Sequence, residues 1–523
     1  MEYNQPSQIV KDLNFGKDAK SKVILGVDKL AKAVKSTLGA SGKCVVYEDA
    51  RGKPVITKDG VTVAESVVLY DPVENMGATL IKEAAKNTVN EAGDGTTTAI
   101  VLAESLLKTV NDPEFMDCST RDIKNGIESG YKKVIDYLSK NSKTVSGDTL
   151  KHVSSISCNN DEELGKIISE AYEKVGKDGV VLMEESDTEK TYTNVVDGIQ
   201  LDCGLTSPHL ITDKDKNIAV LENPYVLIVS SPIPNIRKIQ SVLEHIIKNK
   251  RSLLIVAEVE QSVKAALLMN KVKGNIKVNI IDLPGFGPTK QDTIEDLAIL
   301  TGAKVINEEL GDDLDLIEPN TLGNVYKSVT DNKTTVLTID GTSKELKERI
   351  KSVEKKIKNE KDPFLKKKTQ DRLAMLNGSV GMIYVGGNSK VELKEKKDRV
   401  EDAIYATKAA LKEGIVPGGG IALLNAANNI EVENIGEKIL VKSIKSPFTT
   451  IMENAGIENY ETPNTNGVGF NVISGNQVDM VKAGIVDPVL VTKTALKNAI
   501  SVVSTIISAD CVISNVRLNH EGS

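Results

Sequence analysis

The sequence predicts a multidomain α+β chain in which mainly helical segments at both ends flank a central α/β region. Three observations carry this. At 523 residues the chain is too long for one hydrophobic core, and about three domains is the expectation. Helical spacing of apolar residues dominates the first 140 residues and returns towards the end. Between them, after Asp197-Gly198, short strand-like runs alternate with helical stretches until about Val380.

Composition narrows the function classes. Hydrophobic residues at 40% and charged residues at 27% describe an ordinary globular protein. There is no Trp, with six Phe and twelve Tyr, so stacking platforms for single-stranded nucleic acid are not expected, and a net charge of −7 argues against any nucleic-acid surface. The five cysteines (Cys44, Cys118, Cys158, Cys203, Cys511) include no CxxC pair and read as reduced structural thiols. His152, His209, His245 and His520 are scattered too widely for a zinc site or a Cys/His nucleophile. The N-terminus has neither a basic segment nor an apolar core, and no apolar run of membrane-spanning length is expected. A cytoplasmic location with no membrane partner follows as the expectation.

Taken in order, Val23, Val27, Leu30, Ala31, Val34 and Leu38 recur at helical spacing until Gly39. The loop Gly39-Ala40-Ser41-Gly42-Lys43 resembles a Walker A loop only superficially. It has two residues between its glycines instead of four, lacks a Ser/Thr after the Lys, and runs helix to strand. It reads as a helix-stop turn or a phosphate contact. Val55 to Val63 reads as a hairpin, two β-branched arms around Lys58-Asp59-Gly60. Residues 74–110 and 119–140 read as amphipathic helices.

Within them, Glu91-Ala92-Gly93-Asp94-Gly95-Thr96-Thr97-Thr98-Ala99-Ile100 sets a carboxylate between two glycines, then three hydroxyls, then an apolar helix. Glycines admit an anion to the backbone, a helix start offers unpaired N–H groups, and Asp94 can hold the Mg²⁺ that accompanies a nucleoside triphosphate. The plain alternative is a turn and a capped helix.

Gly176-Lys177-Asp178-Gly179 leads into the strand-like Val180-Val181-Leu182. In the middle region, runs at 225–229, 253–257 and 278–281 alternate with helical stretches at 235–249, 260–273 and 289–301, the pattern of a parallel sheet, with the rigid loop Pro284-Gly285-Phe286-Gly287-Pro288 inside it. Residues 343–376 read as a charged surface helical hairpin broken at Asp362-Pro363. A strand spans Val380 to Val385, and a helix begins near Arg399. Gly418-Gly419-Gly420 opens a further helix as a second anion or ribose site, and Asp487 sits in a turn before the last helix. The tail, 519–523, is short and polar.

Seven motifs now stand in one order along the chain: Val34 to Lys43, Ile56 to Val63, Glu74-Asn75-Met76-Gly77-Ala78, Ala92 to Ala99, Lys394 to Ala403, Gly414 to Gly420, and Ala483 to Pro488. Together they resemble a group I chaperonin of the GroEL type. The resemblance implies a chaperonin fold with an equatorial ATP-binding domain (1–140 and 413–523), an intermediate domain (141–197 and 381–412) and an α/β apical domain (198–380). It implies an ATPase that binds non-native polypeptides and encloses them under a GroES-type co-chaperonin, in heptameric homo-oligomeric rings stacked back to back, with ATP, Mg²⁺ and K⁺ as cofactors.

By the same resemblance, Thr37, Leu38, Gly39 and Ala40 form the first phosphate loop, and Asp94, Gly95, Thr96, Thr97 and Thr98 the Mg²⁺-phosphate loop. Lys58 lies in the nucleotide and K⁺ neighbourhood, Gly419, Asn471, Val472, Ile473 and Asp487 surround the nucleoside, and Asp59 and Asp402 are the carboxylates of hydrolysis. Leu205, His209, Leu210, Leu243, Leu268 and Met269 match the polypeptide-binding face, where Gln240 and Lys264 replace apolar residues. Ala40 stands in place of a proline, Ser379 in place of a hinge glycine, and the Gly-Met-rich tail is missing. These departures leave open a specialised ring of the same fold, with weak ATPase and few clients. A metabolic kinase, the third reading, lacks a substrate-pocket signature.

Overall fold

A computed structural model describes residues 10–515 apart from 50, 116–117, 146, 159–160, 177–178, 215, 285–289, 315–316, 340–343, 360–368, 370–371, 374–375 and 377. The Pro284–Pro288 loop beyond Pro284, the second arm of the 343–376 hairpin, Lys177-Asp178 and the polar tail lie outside the described residues, wholly or in large part. The chain divides into two compact units, Met1–Ser169 with Gly387–Ser523, and Glu170–Gly386.

The first unit begins with β1 (Lys11–Phe15), α1 (Gly16–Lys35), β2 (Val45–Glu48), β3 (Pro54–Thr57), α2 (Gly60–Ser66), α3 (Pro72–Ala92), α4 (Thr96–Val110), α5 (Thr120–Lys140) and α6 (Asp148–Ser157), and α7 (Glu162–Val175) follows. It resumes with α12 (Lys390–Glu413), β15 (Ile415–Pro417), α13 (Ile421–Asn429), α14 (Ile435–Ser443), α15 (Ser446–Asn454), β16 (Val468–Asn471), β17 (Asn476–Asp479), β18 (Val486–Pro488), α16 (Val489–Ser508) and β19 (Cys511–Asn515).

The apolar spacing read in α1 is its buried face: Ala19, Val23, Val27, Leu30, Ala31 and Val34 pack with Ile81, Ala85, Ile100, Leu106, Leu496 and Val503 in one helical core. Glycines set its tightest crossing. A Cβ on Gly26 would fall 1.9 Å from the Glu74 carbonyl oxygen, and one on Gly77 would fall 2.2 Å from that of Val23, so α1 and α3 touch backbone to backbone. The first and last described strands meet, because β1 and β19 pair antiparallel with Lys11 opposite Asn515.

Three expectations change here. Val55 to Val63 is not a hairpin. β3 pairs with β2, and Gly60 starts α2 because the Asp59 carboxylate caps it, accepting from Val61 N (3.2 Å) and Thr62 N (2.8 Å), while Val63 and Ala64 turn into the core. Asp487 lies in β18, paired with β15 opposite Val416, not in a free turn. α16 is long and apolar enough to cross a membrane, with mean hydropathy 1.2, which the sequence reading did not anticipate. It serves as a core helix, burying Val489, Ala495, Leu496, Ala499 and Val503, and its cations are paired, Lys493 with Glu413 and Lys497 with Glu91.

The second unit holds two sheets among the described residues. β7 (Tyr225–Val229), β8 (Leu253–Val256) and β9 (Val278–Ile281) run parallel, with β10 (Val305–Ile306) parallel on the other side of β7 and β11 (Gly323–Asn324) antiparallel to it. Apart from Asn279, which donates to Thr330 Oγ1 (2.9 Å), the runs are apolar because both faces are covered, by α8 (Gln240–Asn249), α9 (Gln261–Val272) and α10 (Lys290–Thr301) among others. The second sheet, in the order β4-β14-β5-β13-β12-β6, joins β4 (Val180–Glu185), β5 (Tyr192–Leu201), β6 (Ala219–Glu222), β12 (Lys327–Thr330), β13 (Thr335–Thr338) and β14 (Ser379–Val385). Ser379 opens β14 opposite Asp197. α11 (Lys344–Asn359) is the described arm of the charged hairpin, tied to α10 through Arg349 and the fully buried Asp296 (2.7 Å).

Candidate functional site

One cavity of about 450 Å³ in the first unit is lined by every residue assigned above to phosphate, nucleoside or hydrolysis. Its floor is two turns. In the first, Thr37 donates to Val34 O (2.8 Å), Gly39 takes a left-handed φ of 84°, and Asn454 of α15 donates to the carbonyls of Lys35 (2.8 Å) and Leu38 (2.9 Å). Ala40 continues this turn along the cavity wall. Asn454 and its neighbour Ile451, which also lines the cavity, come from far along the chain and carried no signal in the sequence.

The second turn, Gly93-Asp94-Gly95, has φ of 78° at Gly93 and 93° at Gly95, so Asp94 projects between two positions that only glycine tolerates. Gly95 is the N-cap of α4 and supplies no side-chain cap. The first N–H groups of α4, at Thr96, Thr97 and Thr98, therefore face the cavity with the positive end of the helix dipole. Among the described residues the three hydroxyls have no protein partner. Gly60 packs against this row: a Cβ there would fall 2.1 Å from Thr97 Oγ1. A second helix start, α13 after Gly419 (φ 66°) and Gly420 (φ 76°), also opens onto the cavity without a side-chain cap.

Four carboxylates face the same space. Asp59 is held in place, accepting from Thr62 Oγ1 (2.6 Å) besides the two α2 amides, and Lys58 stands next to it on the wall. Solvent reaches Asp94 and Asp402 through the cavity while protein surrounds them elsewhere. Burial raises the Asp94 carboxyl above the ordinary range, and the charge of Asp59 adds to this against the opposing Gly95 N–H. Asp402, on α12, is pushed up to about 8, first by burial and then by Asp94 and Asp59. Asp487 rises to about 7 through burial and Asp94. Such a cluster favours a proton or a cation.

Among the described residues no three His, Cys, Asp or Glu side chains converge closely enough to form a metal cage. The donor set fits instead an ion held by one carboxylate and completed by phosphate oxygens and water, the habit of Mg²⁺. Part of the wall is apolar: Phe470, Val472, Met480 and Ile485 line it and pack with Ile421 and Phe448 behind them. There Asn471 Oδ1 accepts from Ile473 N (3.0 Å) and leaves the Ile473 side chain 75% exposed.

In the second unit the residues assigned to polypeptide binding do not all reach the surface. Met269 on α9 is 59% exposed and His209 is exposed, whereas Leu205, Leu243 and Leu268 are half-buried against the parallel-sheet core. Leu210 is fully buried in that core and presents no side chain to a partner, which corrects its assignment. Lys271 explains the fold of this segment, donating to the carbonyls of His209 (3.0 Å) and Ile211 (3.2 Å). Two exposed apolar residues escaped the sequence reading, Ile247 on α8 at 52% and Val272 on α9 at 78%. Both follow from helical spacing, Ile247 four residues after Leu243 and Val272 four after Leu268. Gln240 donates to Glu244 on α8 (2.8 Å).

Comparison with known proteins shows the family and the fold. Residues 30–517 match the TCP-1/cpn60 chaperonin family. Among solved structures, the chaperonin gp146 from the bacteriophage EL 2 (Pseudomonas aeruginosa), crystallised in the presence of ATP-BeFx, is similar in fold. Its crystal form II aligns with a TM-score of 0.70 at 20% identity, over 97% of this chain and 99% of that one. Crystal form I aligns with a TM-score of 0.65 at 21% identity, over the same shares.

Proposed function

The chain belongs to the TCP-1/cpn60 chaperonin family, and from that premise we propose that it is an ATP-dependent molecular chaperone that hydrolyses ATP to drive the capture and folding of non-native polypeptides. The observation that carries the reading is the single cavity into which an uncapped helix start, a row of three threonine hydroxyls and the carboxylates of Asp59, Asp94 and Asp402 converge.

Phosphoryl transfer to water needs charge neutralisation and an aligned nucleophile more than covalent chemistry. The α4 amides and the hydroxyls of Thr96 to Thr98 bind phosphate oxygens, with the Thr37–Ala40 turn and Lys58 beside them. Asp94 would hold Mg²⁺, which would supply neutralisation of phosphate charge, and K⁺ would belong to the Lys58 neighbourhood. Asp59, fixed by α2, orients the attacking water. Asp402, which faces the same space, suits the role of proton acceptor once a cation on Asp94 offsets the neighbouring carboxylate charge that raises its proton affinity. Gly419, Asn471, Val472, Ile473 and Asp487 hold the nucleoside against the apolar wall.

On this reading residues 1–140 with 413–523 are the equatorial domain, 141–197 with 381–412 the intermediate domain and 198–380 the apical domain, in a group I arrangement. Seven subunits form a ring, two rings stack, and a GroES-type lid closes over a client in the cytoplasm. The exposed Met269, Ile247 and Val272 offer apolar surface worth roughly 25 cal/mol per Å² to any unfolded chain, without demanding a sequence.

Steady-state ATP hydrolysis by the purified oligomer tests the proposal, with Asp402→Ala alongside and a GroES-type lid added or withheld. Phosphate release that is lost in Asp402→Ala and modulated by the lid supports it. Absent or lid-indifferent turnover in an assembled ring supports the second reading, a specialised ring with few clients, which the polar Gln240–Glu244 pair and the buried Leu210 favour. Transfer of phosphate to an acceptor other than water would identify a kinase.

A further inference from the structure

Helix α12 turns one stripe of side chains, Asp402, Tyr405, Ala409 and Glu413, towards the elements that build the cavity. The spacing i, i+3, i+7, i+11 is that of a single helical face. Asp402 lines the cavity itself. Ala409 packs with Ala92 and Val491. Glu413 accepts from Lys493 Nζ (2.9 Å). On another face, the hydroxyls of Thr407 and Ser154 of α6 lie 2.9 Å apart, both buried, so α6 and α12 are tied together.

Tyr405 makes the contact nearest the chemistry. A Cβ on Gly93 would fall 2.1 Å from Tyr405 Cβ, 2.6 Å from its Cγ and 3.0 Å from its Cδ1, so the root of the ring stands directly over the glycine α-carbon. Gly93 immediately precedes Asp94. The approach of α12 to the Asp94 turn is therefore as close as a ring against a bare backbone permits. Tyr405 is itself 46% exposed, so its side chain lies between the glycine backbone and solvent.

We propose that Tyr405 is a positioning residue for Asp402: its ring, seated on Gly93, sets the depth at which α12 presents the Asp402 carboxylate to the Asp94 turn. The proposal rests on the cavity being the ATP site. Without the ring, α12 loses this stop against the Asp94 turn, and displacement of a reacting group by about 1 Å is enough to cost up to roughly a hundredfold in rate.

The test compares ATP turnover by the assembled oligomer carrying Tyr405→Ala, Tyr405→Phe, Asp402→Asn, and Tyr405→Ala with Asp402→Asn. The expected result is a kcat lower by about tenfold or more in Tyr405→Ala, which keeps Cβ but loses Cγ and Cδ1, with KM for ATP within about twofold, and wild-type turnover in Tyr405→Phe, which keeps all three contacting carbons. In the Asp402→Asn background, Tyr405→Ala then has no further effect, because both act through one carboxylate. An unchanged kcat, a loss carried by KM, an equal loss in Tyr405→Phe, or effects that multiply in the double variant would each overturn the proposal. Tyr405→Gln replaces Tyr405→Ala if the latter fails to assemble. Amide hydrogen exchange at Gly93 to Gly95 in nucleotide-free oligomer provides a readout independent of turnover. It should quicken in Tyr405→Ala, and exchange as slow as wild type overturns the contact even if wild-type protein proves not to hydrolyse ATP, a result that would sink the ATP-site reading instead.

Discussion

Gly60→Ala should separate nucleotide binding from folding more cleanly than any change to a charged residue. The added Cβ meets Thr97 Oγ1 at 2.1 Å but Thr97 Cβ and Val34 Cγ1 only at 3.4 and 3.5 Å, so the hydroxyl alone is in the way. Only the Thr97 rotamer that puts hydrogen in that place relieves the overlap, and it carries the hydroxyl away from its position on the cavity wall. If that hydroxyl donates to a phosphate, the loss is one charge-assisted hydrogen bond, about 1.5–3 kcal/mol, or roughly 10- to 150-fold in affinity for a non-hydrolysable ATP analogue. Replacing Gly by Ala in helix α2 gains about 0.5–1 kcal/mol, and the altered rotamer costs a similar amount, so nucleotide-free stability should hardly move. Titration calorimetry with thermal unfolding of the same samples measures both. The reasoning is refuted if affinity stays at the wild-type level, or if Gly60→Ala weakens binding equally in a Thr97→Ala background, where no hydroxyl remains to displace.

The same structure has further consequences. Asp402 and Asp487 have proton affinities raised to about 8 and about 7, so the nucleotide-free fold binds protons more tightly than the unfolded chain. Their contribution to stability is present in acid, below the ordinary carboxylate range, and lost as pH rises through about 7–8. The midpoint of thermal unfolding without Mg²⁺ and nucleotide should fall across that window, and Asp402→Asn should flatten the fall; a midpoint that rises there contradicts the assignment. Asp296 is fully buried between Arg349 and Arg372, and Asp296→Ala should cost about 3–5 kcal/mol by leaving guanidinium groups unpaired, seen as faster hydrogen exchange in α10 and α11. Met269→Glu with Val272→Glu should cut capture of denatured protein by nucleotide-free oligomer several-fold while leaving ATP hydrolysis intact, and undiminished capture would move the client site elsewhere.

Much of the cavity was legible because its chemistry is local. A glycine on each side of Asp94, then three threonines and an apolar helix, is a candidate phosphate site contained within ten residues, and the structure gives those glycines the left-handed φ values that explain their presence. Asp59 was legible as a residue but not as a structure. The β-branched run to Val63 has strand character, and only the cap from its carboxylate and the burial of Val63 and Ala64 decide for a helix. Leu210 misled for the opposite reason, since a leucine in a matching motif looks the same whether it faces solvent or the core.

The sequence by itself determined the elements whose cause lies within one turn or one helix face: the amphipathic stripe of α1, the uncapped start of α4, the apolar parallel strands and the order of the motifs. Only the tertiary structure decided which of these meet. β1 finds β19 across the length of the chain, Asn454 holds the turn at Leu38, and Asp402 and Asp487 come to the same cavity as Asp94. Such contacts depend on how whole helices pack, as where Gly26 and Gly77 let α1 and α3 touch, and not on any property of the residues that end up side by side. The raised proton affinities belong to the same class, because a carboxylate acquires them from burial and from the neighbours that folding brings.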